Sequence, residues 1–194
     1  MSGSHDELPV AARVRGLEER LIAAGLVTDA ELEEVLAAVF TSASPTNGAR
    51  MVARAWTDPA YAGRLLADGN AAAAELGFAE QTRGYLLKAV QNIPDVHNVI
   101  VCTLCSCYPT ALLGPSPSWY KSFAYRSRVV REPRAVLAEF GLELPDRTEI
   151  RVWDANSETR YLVLPRPPAE VGGLDEDALA ALVTRNGLIG TALR

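Results

Sequence analysis

The chain has 194 residues, 48% of them hydrophobic and 22% charged, with a formal charge of -5. That length suits one globular domain with room for an appended arm, while the acidic balance and the lack of any Lys/Arg block exclude a nucleic-acid partner gripped through its phosphates. No apolar run approaches the ~20 residues of a membrane span, and the N-terminus MSGSHDELPV has neither the basic nor the apolar region of a secretory signal, so no membrane partner is expected and the expected compartment is the cytoplasm.

Residues 1–44 read as a helical arm and residues 45–194 as the main body. In VAARVRGLEERLIAAG, Val10, Val14, Leu17, Leu21 and Ile22 recur at helical spacing, and Gly25 is placed to end the helix. Thr28 then opens a capping box with Glu31, and ELEEVLAAVF follows as a second helix. An apolar stripe on so small a unit needs something to pack against, either the main body or a partner subunit. SASPTNG, residues 42–48, is a turn-rich break and marks the boundary. GARMVARAW reads as a helix, and Asp58 with Pro59 as the N-cap and first position of the next. There is no internal repeat.

VHNVIVCT, residues 96–103, is short and β-branched, the profile of a buried strand. SPSWYKSFAYRSRVV resumes helix after Pro117, and PRAVLAEFG is a short helix ended by Gly141. EIRVWDANSETRYLVLP reads as a hairpin of two strands around a DANS turn, and DEDALAALVTRNG closes the chain with a helix. Helices and strands are segregated rather than alternating, which predicts the α+β class over a doubly wound sheet.

All three cysteines fall in VCTLCSCYPT, residues 101–110, with the spacing C-x-x-C-x-C: Cys102, Cys105 and Cys107. An odd number cannot pair within the chain, and a reducing compartment keeps structural disulfides open. The cluster therefore points to metal or redox chemistry. Structural zinc asks for four closed ligands, usually two separated pairs, and iron–sulfur clusters normally need four thiolates, so both would need a ligand from elsewhere, such as a subunit interface. His97 lies within the strand and reads better as solvent-facing or hydrogen-bonded than as that fourth ligand.

The tripeptide Cys105-Ser106-Cys107 can act as one chelator. If the Ser106 and Cys107 amides give up their protons, two thiolates and two backbone nitrogens form a plane closed by small chelate rings. No proline removes either amide. Cys102 can add an axial sulfur, leaving a sixth octahedral position open. Anionic sulfur and amide donors favour low-spin Fe(III) or Co(III) over Zn(II), and mismatch Mg or Ca. An open position on such a Lewis acid predicts a catalytic centre.

VCTLCSC resembles the metal-binding motif of the nitrile hydratase α-subunit family, and the likeness extends through NGARMVARAWTDP, PDVHNVIVCTLCSCYP, WYKSFAYRSRVVREPRAVLAEFGLELP, IRVWD and RYLVLP. The resemblance implies a layered α/β/β/α-type domain behind the arm. It implies hydration of a nitrile to an amide, with Cys102, Cys105, Cys107 and the Ser106 and Cys107 nitrogens as metal ligands. It also implies Cys105 as sulfinic and Cys107 as sulfenic acid, a use of oxidation that elsewhere marks damage or sensing. Thr103 and Tyr108 match the pattern of cobalt members, so Co(III) is expected over Fe(III). The nucleophile stays open between the sulfenate oxygen of Cys107, a water it activates, and a hydroxide. The family further implies a β-subunit, or β-like subunits, whose arginines reach the oxidised cysteines, and a cobalt metallochaperone.

One departure stands out. Where many cobalt members read YPW, this chain reads YPT, so Thr110 replaces a bulky indole, which either opens the pocket of Tyr108, Thr110 and Trp119 to large or heteroaromatic nitriles or leaves a gap that a neighbouring side chain fills. ALLGPSPSW departs from the family loop as well. Trp119 with Tyr120 reads equally as core. Arg126, Arg128 and Arg131 read as a solvated helix face or as inter-subunit salt bridges, and Asp146, Asp154 and Glu158 as turn residues. With only His5 and His97 available, a Ser-His-Asp triad is nearly closed. The alternatives are the related catalytic subunit of thiocyanate hydrolase, a noncatalytic zinc or redox module, and a pseudo-subunit that only scaffolds a complex.

Overall fold

The computed structural model describes residues 9–169 and 173–194. The chain divides into two compact units between Thr41 and Ser42. The first holds α1 (Val10–Ala23) and most of α2 (Asp29–Ser42). The predicted capping box is present: Thr28 N donates to Glu31 Oε2 at 2.8 Å and Glu31 N to Thr28 Oγ1 at 3.2 Å, satisfying two N–H groups that the helix start leaves open. Val10, Val14 and Leu17 of the apolar stripe of α1 are exposed, and Leu21 and Ile22 are half-buried. Residues 1–8 of the predicted arm lie outside the described residues.

In the second unit SASPTNG is less of a break than predicted. α2 runs to Ser42, and PTNG is already the first turn of α3 (Pro45–Thr57), because Ser44 accepts from Thr46 N at 3.2 Å and Pro45 fills a position that needs no donor. The same device starts α4 (Pro59–Ala67), where Asp58 caps Tyr61 N at 3.0 Å, and α5 (Gly69–Glu75), where Asp68 caps Ala71 N at 3.0 Å. α3 is the central helix and buries Met51, Val52, Ala53 and Ala55.

Four strands follow: β1 (Leu86–Gln91), which the sequence reading missed, β2 (Val96–Val101), β3 (Glu149–Asp154) and β4 (Thr159–Leu164). The predicted hairpin does not form. β3 pairs in parallel with β2, and β4 in parallel with β1. The DANS turn is real, since Asn156 Oδ1 accepts from Glu158 N at 2.9 Å and Thr159 N at 2.8 Å. It sits where the chain passes from one sheet to the other: Ala155 N donates to Val101 O, extending the β2–β3 ladder, and Leu86 N donates to Glu158 O, opening the β1–β4 ladder. All six residues of β2 are buried: Val96, Val99, Ile100 and Val101 supply apolar surface, while His97 and Asn98 are satisfied by hydrogen bonds. α4 and α5 pack on β1, β2 meets β4, and α8 (Pro133–Glu139) packs on β3, giving a helix, strand, strand, helix order within the α+β class.

The connection from β2 to β3 carries the cysteines, α6 (Thr110–Leu113), α7 (Phe123–Arg128) and α8. The helix predicted after Pro117 is split into a 3-10 turn at Ser118–Lys121 and α7, because Ser122 is extended and caps Tyr125 N. The closing helix is likewise two, α9 (Glu176–Ala181) and α10 (Arg185–Ile189), since Thr184 is extended and caps Gly187 N at 3.1 Å.

Beneath the cysteine strand lies a buried polar network. Asn92 Oδ1 accepts from Asn98 N at 2.7 Å, which turns its amide nitrogen toward His97 Nδ1 at 3.3 Å. That fixes the proton on Nε2, which donates to Gly190 O at 2.7 Å. Trp153 Nε1 donates to Asn98 Oδ1 at 2.8 Å and ties in β3. His97 is thus a hydrogen-bonded, neutral core residue, its pKa held below the usual value by burial. The unfolded chain binds that proton more readily, so the contribution is full above the ordinary histidine value of 6.5 and is lost as pH falls below it. Calorimetric melting between pH 7 and pH 5 is expected to show a falling Tm that flattens in His97→Gln; an unchanged slope in the variant would place the responsible proton elsewhere.

Candidate metal centre

β2 ends at Val101, and Cys102 is the first residue past it. The chain there turns back on itself, bringing the three sulfurs within 4.8 Å of one another. Cys105 Sγ lies 3.3 Å from Cys102 Sγ and 3.2 Å from Cys107 Sγ, and all three thiols are free. Cys102 and Cys107 are buried and share a small apolar cluster with Ala155 and Tyr161, whereas Cys105 and Ser106 face outward. Cys105 N donates to Cys102 Sγ at 3.3 Å. The C-x-x-C-x-C spacing thus brings three sulfurs to one point. Among the described residues no His, Asp or Glu joins this group.

The environment splits the thiols. Hydrogen bonds from Cys107 and Cys102, and then from the backbone amides, pull the Cys105 thiol down to about 7, while burial and the contact with Cys105 push the Cys107 thiol up to about 12. In the metal-free chain a short pulse of iodoacetamide is accordingly expected to label Cys105 first, with a rate that rises through pH 7, and to leave Cys107 unlabelled in the neutral range. Peptide mass spectrometry reads the order directly; Cys107 labelled first would contradict it.

Four side chains that the sequence reading did not place at the site hold the loop by its backbone. Asp154, at the end of β3, accepts from Thr103 N at 2.9 Å and Thr103 Oγ1 at 2.5 Å, so it serves the cysteine loop rather than a turn of its own. Arg126 Nη1 donates to Cys105 O at 3.0 Å and to Thr103 O at 3.4 Å, which replaces the solvated-face reading. Tyr120 OH donates to Cys107 O at 3.0 Å, and Arg160 Nη1 to Tyr108 O at 3.0 Å. Arg160 also lies close enough to Cys107 to favour its anion. Just upstream, Tyr125 OH donates to Ile100 O at 2.7 Å. Arg128 pairs within the chain with Glu132 and Glu139, and Arg131 donates to Ser127 O.

Of the residues assigned to a pocket, Thr110 is exposed at the start of α6. Tyr108 is buried with its ring edge-on to Tyr120 at 5.0 Å, and Trp119 packs edge-on to Tyr125 at 4.9 Å and Phe140 at 4.6 Å. Leu104 and Phe123 are 87% and 78% exposed.

The model of the nitrile hydratase α-chain family matches residues 8–192. The chain belongs to the nitrile hydratase α-chain family. It is 48% identical, over 93% of its length and 89% of the relative's, to the cobalt-containing nitrile hydratase subunit alpha of Pseudonocardia thermophila. The thiocyanate hydrolase subunit gamma of Thiobacillus thioparus is 46% identical over 77% of this chain and 65% of that one. Among solved structures, a double mutant of the Fe-type nitrile hydratase from Comamonas testosteroni Ni1 superposes with a TM-score of 0.88 at 41% identity, covering 95% of this chain and 91% of that one. The three cysteines form a cluster that could hold a metal ion. No helix among the described residues is long and apolar enough to cross a membrane.

Proposed function

We propose that this chain is the α-subunit of a cobalt nitrile hydratase, which adds water across R–C≡N to give R–C(O)NH2. The observation that carries the reading is the convergence of three cysteine sulfurs within 4.8 Å of one another in a chain of this family. Cys102, Cys105 and Cys107 would hold the metal with the Ser106 and Cys107 nitrogens, each amide releasing its proton to solvent. When bound, low-spin Co(III) supplies a Lewis acid. Co(III) is preferred to Fe(III) because Thr103 and Tyr108 match cobalt members and the Pseudonocardia relative is cobalt-containing.

The chain's own residues do the rest. With Cys105 as sulfinate and Cys107 as sulfenate, the Cys107 oxygen would either add to the nitrile carbon and be expelled again, as sulfenate, when water attacks the same carbon, or take a proton from a water that attacks directly. Arg160 offsets part of the negative charge at Cys107. The remainder is assigned to arginines of a β-type subunit, covering the open face on which Leu104 and Phe123 are exposed. The arm, with Val10, Val14 and Leu17 uncovered, is assigned to gripping that partner. Thr110 in place of an indole, exposed at the start of α6, is assigned to admitting bulky or heteroaromatic nitriles, with Tyr108 and Trp119 both packed on Tyr120. The cytoplasm keeps the thiols reduced until loading, for which a cobalt metallochaperone is the proposed donor.

The likeness to the thiocyanate hydrolase gamma subunit supports a second reading, hydrolysis of thiocyanate at the same centre. Elemental analysis with peptide mass spectrometry of the complex purified from cobalt-supplemented cells tests both. One cobalt per chain, two oxygens on Cys105 and one on Cys107 are expected, with turnover of nitriles exceeding that of thiocyanate. Zinc or no metal with three unmodified thiols would sink the catalytic reading, and thiocyanate turnover alone would select the second.

A further inference from the structure

Arg126 reaches the cysteine loop from the last turn of α7, 21 residues downstream of Cys105. The carbonyl it holds at 3.0 Å, Cys105 O, belongs to the peptide whose nitrogen is Ser106 N. There are no cis peptide bonds among the described residues, and in a trans peptide the C=O and N–H point opposite ways. Fixing that oxygen toward Arg126 therefore aims Ser106 N–H the opposite way, away from the guanidinium. The neighbouring cation on the same helix, Arg128, is neutralised by Glu132 and Glu139, whereas among the described residues no carboxylate pairs with Arg126. Its charge is directed at two backbone oxygens alone.

We propose that Arg126 is a positioning residue of the metal centre, aiming the Ser106 nitrogen at the metal through the Cys105 carbonyl and offsetting the negative charge that amide ligation delivers to that oxygen. The inference rests on the nitrile hydratase reading above, in which Ser106 N is a ligand. An amide that binds as an anion shares its charge between nitrogen and oxygen, and a hydrogen bond from a guanidinium to a charged oxygen is roughly twice as strong as one to a neutral oxygen. The contact thus strengthens when the metal is held, which a merely structural arginine would not do. Both bonds come from Nη1, a single nitrogen, so a lysine ammonium can replace it.

The test compares the full chain with Arg126→Met and Arg126→Lys, each purified as its complex from cobalt-supplemented cells. Cobalt per chain, the visible sulfur-to-cobalt absorption, and the Tm of the metal-free protein are read. Arg126→Met is expected to lower cobalt retention against a chelator by about tenfold or more and to alter the absorption. Arg126→Lys is expected to restore most of both, with metal-free Tm values close to wild type. Should Arg126→Met fail to fold, Arg126→Gln, which keeps a donor without the charge, takes its place with the same expected loss. Wild-type retention and spectrum in the charge-free variant would overturn the proposal, as would a lysine variant as poor as it. Wild-type protein that itself takes up no cobalt would overturn the parent reading instead.

Discussion

Cys107→Ala is expected to lower nitrile turnover by about a thousandfold or more, as removal of a group that acts within one catalytic unit does. Cys107 contributes more than one donor to the proposed centre: its sulfur and its own nitrogen close a chelate ring, and its sulfenate oxygen faces the substrate. The substitution removes the sulfur and the oxygen together and leaves the nitrogen without its ring partner. Cobalt content should fall with turnover, while the metal-free chain keeps its fold, because Tyr120 OH and Arg160 Nη1 hold the loop through Cys107 O and Tyr108 O rather than through the Cys107 side chain. Steady-state turnover and elemental analysis of the same preparation check it. Full activity in Cys107→Ala would mean that this chain scaffolds a complex whose chemistry lies elsewhere.

The second large effect is on stability, at the far end of the cysteine strand. Gly190 has φ +92°, a left-handed backbone that side chains disfavour, and a Cβ built there would lie 2.0 Å from Asn98 O. Neither clash nor strain can be relieved locally, since Gly190 O is also the acceptor for His97 and Asn98 is bonded to Asn92, Gln91 and Trp153. Gly190→Ala is expected to cost about 3 kcal/mol or more, a fall in Tm of roughly 6–12 °C for a chain of this size. It should also loosen β2 and with it the placement of Cys102. Thermal melting of the purified variant decides it; a Tm within about 2 °C of wild type would mean that the chain end moves away from β2 at little cost.

The local signals in the sequence were sound. The Thr28 and Asp58 caps start helices where the sequence places them, because a cap is settled within three residues of itself. The β-branched run ahead of Cys102 is a strand, and the C-x-x-C-x-C spacing makes a cluster, because a loop this short leaves the sulfurs little room to separate. Signals that needed a distant partner went astray. The DANS turn forms, yet β3 and β4 leave it for different sheets, since what each strand pairs with depends on edges presented by β1 and β2 about 50 to 70 residues earlier. Strand β1 went unread, as its pattern of exposed and buried residues gains meaning only against β4.

The sequence by itself therefore determined the class of the fold, the family likeness and the clustering of the three cysteines. Only the tertiary structure decided how that loop is held. Asp154, Arg126 and Arg160 reach Thr103, Cys105 and Tyr108 across 51, 21 and 52 residues. A charged residue in a turn or on a helix face looks the same in sequence whether it meets water or a buried carbonyl. The chain must fold before its backbone oxygens are brought to the cations and hydroxyls that fix them.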